Sequence, residues 1–276
     1  TFIPIVSDFD GEHSIVYNNG NKFYMITDRL APKKRIISFT LDNPDERIWK
    51  NIIPESEHTL QSVTFPSDKL IAKYMVDAQD KVFIYTQNGE LIQEIKLPAP
   101  GSIGGFNGKP YSKEIFYSFE TFTIPKTIFN FNLDSLTSTL FKTSAIKFNS
   151  DDFISYQKFC ISKDNTKIPL FITHKKNLAF DNSNPTLLYA YGGFNISMKP
   201  SFSKENIVLL ENGGIYALAC LRGGGEYGDE WHKAGMLENK QNVFDDFIAC
   251  SEYLINSEYA SADKLAIRGG SNGGLL

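Results

Sequence analysis

Residues 265–276 read LAIRGGSNGGLL, and this stretch decides the fold. Its apolar start predicts a short buried strand, and Gly269, Ser271 and Gly273 then fit the pattern G-x-S-x-G. In that pattern a sharp strand-to-helix turn strains the backbone of the serine, and glycines fill the positions that tolerate no side chain. The turn would raise the hydroxyl of Ser271 above a sheet and leave the next N–H free to bind an oxyanion. Alone, the pattern is equally consistent with a glycine-rich turn that ends a strand.

The composition is that of a globular protein with room for two domains. The chain has 276 residues, of which 42% are hydrophobic, and its net charge is −4. The charge gives no basic surface for nucleic acid or an anionic membrane, and no run approaches about 18 apolar residues. The three cysteines lie far apart in apolar surroundings, so we expect core residues there and neither a metal nor another cofactor.

The first half of the sequence repeats. The segments 35–42, 81–88 and 127–134 align without gaps, and the aromatic residues Phe39, Tyr85 and Phe131 follow one another at intervals of 46 residues. Each segment alternates apolar and polar residues, ends in Asp or Asn, and is preceded by another β-rich run. Several strands per repeat with almost no helical periodicity predict about three β-propeller blades in residues 1–145, rather than an evenly spaced β-sandwich.

Three blades do not close a ring, since propellers use about four to eight. The sequence also begins at Thr1 without a methionine and stops five residues after Ser271. We therefore expect that both ends of a longer protein are missing.

From about residue 150 the pattern changes to alternating strands and helices. The expected order is strands at 153–162, 167–174 and 185–191, a helix capped by Ser203, a strand at 215–221, an amphipathic helix from Asn242, and the strand before Ser271. The apolar stripe of the second helix should comprise Val243, Phe244, Phe247, Ile248, Ser251, Leu254 and Ile255. This order predicts an α/β-hydrolase domain in residues 146–276 that is truncated after the serine turn.

Other candidate sites are weaker. Residues 223–228, GGGEYG, match G-x-G-x-x-G, but Asp229 and Glu230 follow them where a dinucleotide would place its pyrophosphate. His232, beside a tryptophan, should have a structural or rim role. In an α/β-hydrolase the acid and the histidine follow the serine, which excludes all four histidines as well as Asp245 and Asp246.

Five motifs together resemble the prolyl oligopeptidase family of serine peptidases. They are YGGFN at 191–195, RGGGEYG at 222–228, WH at 231–232, NKQNVFDD at 239–246 and GGSNGG at 269–274. The resemblance is dense from about residue 150 and looser before it. It implies the last blades of a seven-bladed propeller followed by an incomplete α/β-hydrolase domain, cleavage of short peptides after proline, and a catalytic Asp and His beyond residue 276.

The resemblance also implies roles for four residues. Ser271 resembles the nucleophile, the backbone N–H of Asn272 and the hydroxyl of Tyr191 resemble the oxyanion hole, and Phe194 resembles a lining residue of the proline pocket. A tyrosine hydroxyl is a good donor, and an aromatic face suits a flat apolar ring.

We therefore expect a serine endopeptidase, a monomer in the cytoplasm or periplasm, whose partners are short proline-containing peptides, with no nucleic acid or membrane. Residues 1–276 alone should be inactive without the base. The alternatives are a related oligopeptidase that cleaves after basic residues, an esterase on the same fold, and a non-catalytic propeller–hydrolase scaffold.

Overall fold

A computed structural model describes residues 4–9 and 11–276. Its first half consists of three four-stranded antiparallel sheets, each formed by consecutive strands. The first contains β1 (His13–Asn19), β2 (Lys22–Thr27), β3 (Arg35–Thr40) and β4 (Lys50–Ile53); the second β5 (Thr59–Thr64), β6 (Lys69–Val76), β7 (Gln79–Thr86) and β8 (Leu91–Glu94); the third β9 (Ser102–Gly105), β10 (Glu114–Glu120), β11 (Thr127–Asn132) and β12 (Thr137–Lys142).

These sheets confirm the predicted propeller blades. Phe39, Tyr85 and Phe131 lie on β3, β7 and β11, the third strand of each sheet. Phe39 and Phe131 are buried, and the apolar side chains that alternate along these strands form the cores around the sheets. The last strand, β12, is exposed along its whole length, as expected for the outer edge of a blade.

The second half is a five-stranded mixed sheet with helices. Its elements are β13 (Phe153–Ile161), β14 (Lys167–Lys175), β15 (Thr186–Tyr189), α1 (Lys204–Glu211), β16 (Ile215–Ala219), α2 (Asp229–Lys233), α3 (Gln241–Asn256) and β17 (Leu265–Arg268). The strand order is β13-β14-β16-β15-β17, with β15 parallel to both β16 and β17. This is the predicted α/β order, and the side chain of Ser203 caps α1 as expected. The prediction that the strand before the serine turn is buried was wrong, because β17 lies at the edge of the sheet and Ile267 is 59% exposed.

Helix α3 packs on this sheet through a narrower stripe than the sequence indicated. Val243, Phe247, Cys250 and Leu254 are buried against the sheet, whereas Ile248 is 53% exposed. The predicted stripe was therefore wrong at Ile248, because the contact is centred on a row of i, i+4, i+7 and i+11 positions and the flank of that row turns toward solvent. All three cysteines are buried, as expected.

The loop after β15 lies between the five-stranded sheet and the propeller blades. Nζ of Lys199 lies 2.9 Å from Oδ2 of Asp80, whose side chain is fully buried at the start of β7. Oγ of Ser102 donates to the carbonyl oxygen of Pro200 at 2.5 Å, and the backbone N–H of Phe202 donates to Glu120 at 3.1 Å. The second and third propeller sheets thus fix residues 199–202, at the end of the loop that begins at Tyr191. In the described part of the chain, no helix is both long enough and apolar enough to cross a membrane.

Candidate functional site

Tyr191 and Ser271 lie at the same edge of the five-stranded sheet. Strands β15 and β17 are parallel neighbours with Tyr189 opposite Arg268, so the residues that follow them emerge side by side. The contact is close, since an added Cβ at Gly273 would lie 2.6 Å from the carbonyl oxygen of Ala190 and 3.2 Å from Cα of Tyr191. The structure therefore brings together the two segments that the motifs singled out.

The turn at Ser271 has the strained geometry that the glycine pattern predicts. Ser271 has φ +54°, in the left-handed region, and begins a short 3₁₀ turn over Ser271–Leu275. An added Cβ at Gly269 would lie 1.8 Å from the carbonyl oxygen of Gly273, so a side chain at this position is excluded. A non-glycine residue at this φ costs about 1–3 kcal/mol, and such strain is found at active sites as well as in tight turns. Ser271 itself is exposed.

The side chain of Asn272 fastens the Tyr191 loop to this turn. Its Nδ2 donates to the carbonyl oxygens of Tyr191 at 2.6 Å and Gly192 at 3.0 Å. An added Cβ at Gly193 would lie 2.5 Å from the same nitrogen. Sequence reasoning used only the backbone N–H of Asn272 and missed this contact, although the glycine pair after Tyr191 was a signal that something packs closely there.

Lys240, just before α3, adds a second donor to the same loop. Its Nζ lies 2.7 Å from the carbonyl oxygen of Gly192, and partial burial lowers the pKa of this lysine. Gly192 has φ +58°, and an added Cβ there would lie 2.4 Å from Val243. The backbone that carries Tyr191 is thus held by Asn272 from one side and by α3 from the other. The motif at 239–246 contains Lys240, but the sequence indicated no role for this residue.

Phe194 projects from the same loop. Its ring is 74% exposed, and its φ of +53° is unusual for a bulky residue. The next residue, Asn195, has φ +57°. An exposed aromatic side chain, one residue from Gly193, which packs on Asn272, is free to contact a ligand.

His232 is half-buried and bonded to backbone groups, which is consistent with the structural or rim role expected from the sequence. Its Nδ1 is 2.7 Å from the carbonyl oxygen of Gly223 and 3.2 Å from the backbone nitrogen of Asn195. Of the other histidines, His174 is buried and bonded to the hydroxyl of Tyr156, and burial lowers its pKa. Neither an aspartate nor a histidine follows Ser271 in the sequence.

Asp246 is committed to a buried ion pair. Its carboxylate accepts from Arg222 at 2.6–3.2 Å and from Oγ of Ser162 at 2.6 Å, and both charged side chains are nearly inaccessible to solvent. Arg222 also pairs with Asp164, and this hydrogen bond lowers the pKa of Asp164 to about 2. The exclusion of Asp246 as a catalytic acid therefore agrees with its contacts, but the sequence did not reveal the pairing.

The GGGEYG segment packs against protein. An added Cβ at Gly225 would lie 2.5 Å from Oδ1 of Asn195 and 3.0 Å from Oγ of Ser197. The helix that follows, α2, is only five residues long. Since the loop after Phe194 fills the space over these glycines, they do not form the phosphate cradle of a dinucleotide site.

Comparison with known proteins agrees with this geometry. Residues 1–144 match the family model for the prolyl oligopeptidase N-terminal β-propeller domain, and residues 200–276 match that for the prolyl oligopeptidase family. The prolyl endopeptidase of Elizabethkingia meningoseptica is 45% identical over 275 residues, which are 100% of this chain and 39% of the relative. That of Dictyostelium discoideum is 41% identical over 99% of this chain and 38% of the relative.

Solved structures give the same result. One from a structural and mechanistic study of two prolyl endopeptidases has a TM-score of 0.94 and 38% identity, over 98% of this chain and 40% of its own. Prolyl oligopeptidase B of Galerina marginata, bound to a 35-residue hydrolysis and macrocyclization substrate, has a TM-score of 0.92 and 33% identity, over 98% and 39%. The chain thus spans about two fifths of the length of the relatives it matches. The chain belongs to the prolyl oligopeptidase family.

Proposed function

We propose that the protein containing this chain is a serine endopeptidase that hydrolyses short peptides on the C-terminal side of proline. The observation that carries the proposal is Ser271, held at φ +54° on a glycine turn that packs directly against the loop of Tyr191. Membership of the family and 45% identity to a protein named prolyl endopeptidase support the proline specificity.

In this mechanism the hydroxyl of Ser271 attacks the carbonyl carbon of the proline residue. A histidine outside residues 1–276 accepts the proton, and an aspartate orients that histidine. The histidine then gives the proton to the nitrogen of the leaving amine as the C–N bond breaks, and water hydrolyses the acyl-enzyme that remains on Ser271. The backbone N–H of Asn272 and the hydroxyl of Tyr191 donate to the oxyanion, where each donor is worth about 10²–10³-fold in rate. The hydrogen bonds from Asn272 to the Tyr191 loop support these roles, because they fix the two donors relative to each other.

Phe194 is proposed to pack its ring on the proline of the substrate. Its high exposure leaves one face available, and apolar contact with a flat ring favours proline over an extended side chain. Residues 1–145 are proposed to be the propeller and residues 146–276 the peptidase domain, with the boundary between β12 and β13. Short proline-containing peptides are the proposed substrates.

The full-length protein provides the test. We expect it to cleave a reporter peptide after Gly-Pro, and a fluorophosphonate probe should label Ser271 as mapped by mass spectrometry. Ser271→Ala should abolish both cleavage and labelling without changing the circular dichroism spectrum. Cleavage after Arg but not after Pro would refute the proline specificity and favour the related oligopeptidase that cleaves after basic residues. Unchanged turnover in Ser271→Ala would show that Ser271 is not the nucleophile.

A further inference from the structure

The loop after Phe194 lies on the segment Gly223–Gly228 at three successive points. The backbone N–H of Asn195 donates to the carbonyl oxygen of Gly223 at 3.0 Å. Gly225 packs so closely under Asn195 and Ser197 that it tolerates no side chain. The backbone N–H of Met198 then donates to Oε1 of Glu226 at 2.7 Å. The glycine motif that lacks the features of a dinucleotide site is therefore a platform for this loop.

The loop needs such support because of its backbone conformation. Phe194 and Asn195 are consecutive residues at φ +53° and +57°. Left-handed residues other than glycine cost about 1–3 kcal/mol each and persist only where neighbouring contacts fix them. Asparagine tolerates this region better than phenylalanine does, so the strain falls mainly on Phe194. The N–H of Ile196 donates to the carbonyl oxygen of Gly193 at 3.1 Å within the turn, and the contacts at Asn195 and Met198 hold the turn on the platform.

Glu226 is the unusual member of the platform. It is 1% exposed, and Oε2 has no hydrogen-bond partner among residues 4–9 and 11–276, nor does an ion pair in that part of the chain include it. The carboxyl group occupies the space beside Gly224, where an added Cβ would lie 2.2 Å from Oε2. Burial raises the pKa of Glu226 to about 8, which keeps the carboxyl group neutral at physiological pH.

We propose that Glu226 is a positioning residue that holds the strained Phe194–Asn195 turn in place through the backbone of Met198. The carbonyl oxygen of Met198 accepts from Sγ of Cys220 at 3.3 Å, so the N–H and the C=O of Met198 are both hydrogen-bonded. The role of Phe194 in substrate binding rests on the proposed function, whereas the positioning of the loop by Glu226 does not.

Ionisation of Glu226 would disturb this arrangement. The titratable groups near it are Cys220, directly after β16, and Tyr227 of its own segment, whose hydroxyl donates to Asp77 in the hairpin between β6 and β7. Trp231 of α2 lies beside it as well. None of these groups is a cation, so a carboxylate at Glu226 would lack a counter-ion, and the hydrogen bonds from backbone N–H groups and Trp231 offset only part of the cost of burying it. The loop should therefore loosen as the pH rises through the pKa of Glu226.

The test compares Glu226→Leu, Glu226→Gln and wild type in the full-length protein, with Glu252→Leu on the exposed face of α3 as the matched control. Glu226→Leu leaves the N–H of Met198 buried without an acceptor, and we expect about a tenfold rise in KM for a Gly-Pro reporter with a smaller change in kcat. Glu226→Gln keeps the acceptor but does not ionise. It should retain neutral-pH kcat/KM and shift the alkaline fall of kcat/KM to higher pH.

Hydrogen–deuterium exchange of residues 193–199 provides a readout that does not depend on activity. Exchange should be slow in wild type, Glu226→Gln and Glu252→Leu, and faster in Glu226→Leu. The inference is refuted if Glu226→Leu matches Glu252→Leu in both KM and exchange, or if wild type and Glu226→Gln share the same alkaline limb. If Glu226→Leu does not fold, the alkaline fall of kcat/KM in Glu226→Gln and in wild type still tests the inference. If the wild type does not cleave proline peptides, the proposed function fails and the exchange data alone decide the positioning role.

Discussion

Alanine substitution at Gly269 should dismantle the serine turn. In the structure an added Cβ at Gly269 falls 1.8 Å from the carbonyl oxygen of Gly273 and 2.4 Å from its carbonyl carbon. Real Cβ contacts essentially never fall below 3.0 Å, and the clashing atoms belong to backbone rather than to a flexible side chain. The turn must therefore open by roughly 1.2 Å or more, from 1.8 to at least 3.0 Å.

The size of the effect follows from that displacement. Overpacking of this kind costs about 1–3 kcal/mol of stability. A misplacement of about 1 Å in a catalytic group can cost about 10²-fold in rate, because the reacting atoms leave their near-attack geometry. We therefore expect Gly269→Ala to lower kcat/KM by at least about 100-fold while most of the protein remains folded at 25 °C. Gly273→Ala, with its contact of 2.6 Å to the carbonyl oxygen of Ala190, should act in the same direction.

The assay is the rate of fluorophosphonate labelling of Ser271 together with kcat/KM on a Gly-Pro reporter. Gly270→Ala is the matched control, since Gly270 has φ −128° and no atom of the described residues within 4 Å of an added Cβ. If the probe labels Gly269→Ala as fast as Gly270→Ala, the serine turn does not require glycine at position 269.

Three further predictions concern residues of the α/β half of the chain. Tyr191→Phe should lower kcat by about 10²-fold with little change in KM, because the hydroxyl is proposed to act on the oxyanion; an unchanged kcat in steady-state assays would exclude that role. Asp246→Asn should destabilise the protein by about 3–5 kcal/mol in denaturant titrations, because it leaves the buried guanidinium of Arg222 without its main partner, whereas Asp245→Asn should be nearly neutral. The free energy of unfolding of wild type, relative to Glu226→Gln, should fall as the pH rises from about 4.5 to about 8, at up to about 1.4 kcal/mol per pH unit, since the folded protein retains a proton that the unfolded chain has lost. A pH-independent difference would contradict the burial of a neutral acid at Glu226.

Much of the fold was predictable because its signals are local. The alternation of apolar residues around Phe39, Tyr85 and Phe131 predicted the third strand of each blade, since every second side chain of a strand faces the same core. The order of strands and helices after residue 150, and the cap at Ser203, were predicted for the same reason. The error at Ile248 arose because periodicity indicates an apolar stripe but does not fix which edge of that stripe contacts the sheet.

The candidate site was predictable only in part. Gly269, Ser271 and Gly273 were found because the steric demands of a sharp turn act within five residues. The sequence did not show that Asn272 donates to the carbonyl oxygen of Tyr191. The two residues are 81 positions apart, and a backbone carbonyl can accept a hydrogen bond from many different side chains.

The sequence by itself determined the blades, the order of the α/β elements and the serine turn, since each depends on contacts between residues close in the chain. Tertiary structure alone decided that Asn272 holds the Tyr191 loop, that Arg222 neutralises Asp246, and that Glu226 lies buried beneath the loop of Phe194. The physical reason is that the energy of a polar group depends on its partner and on its distance from water. Neither quantity exists until the chain has folded.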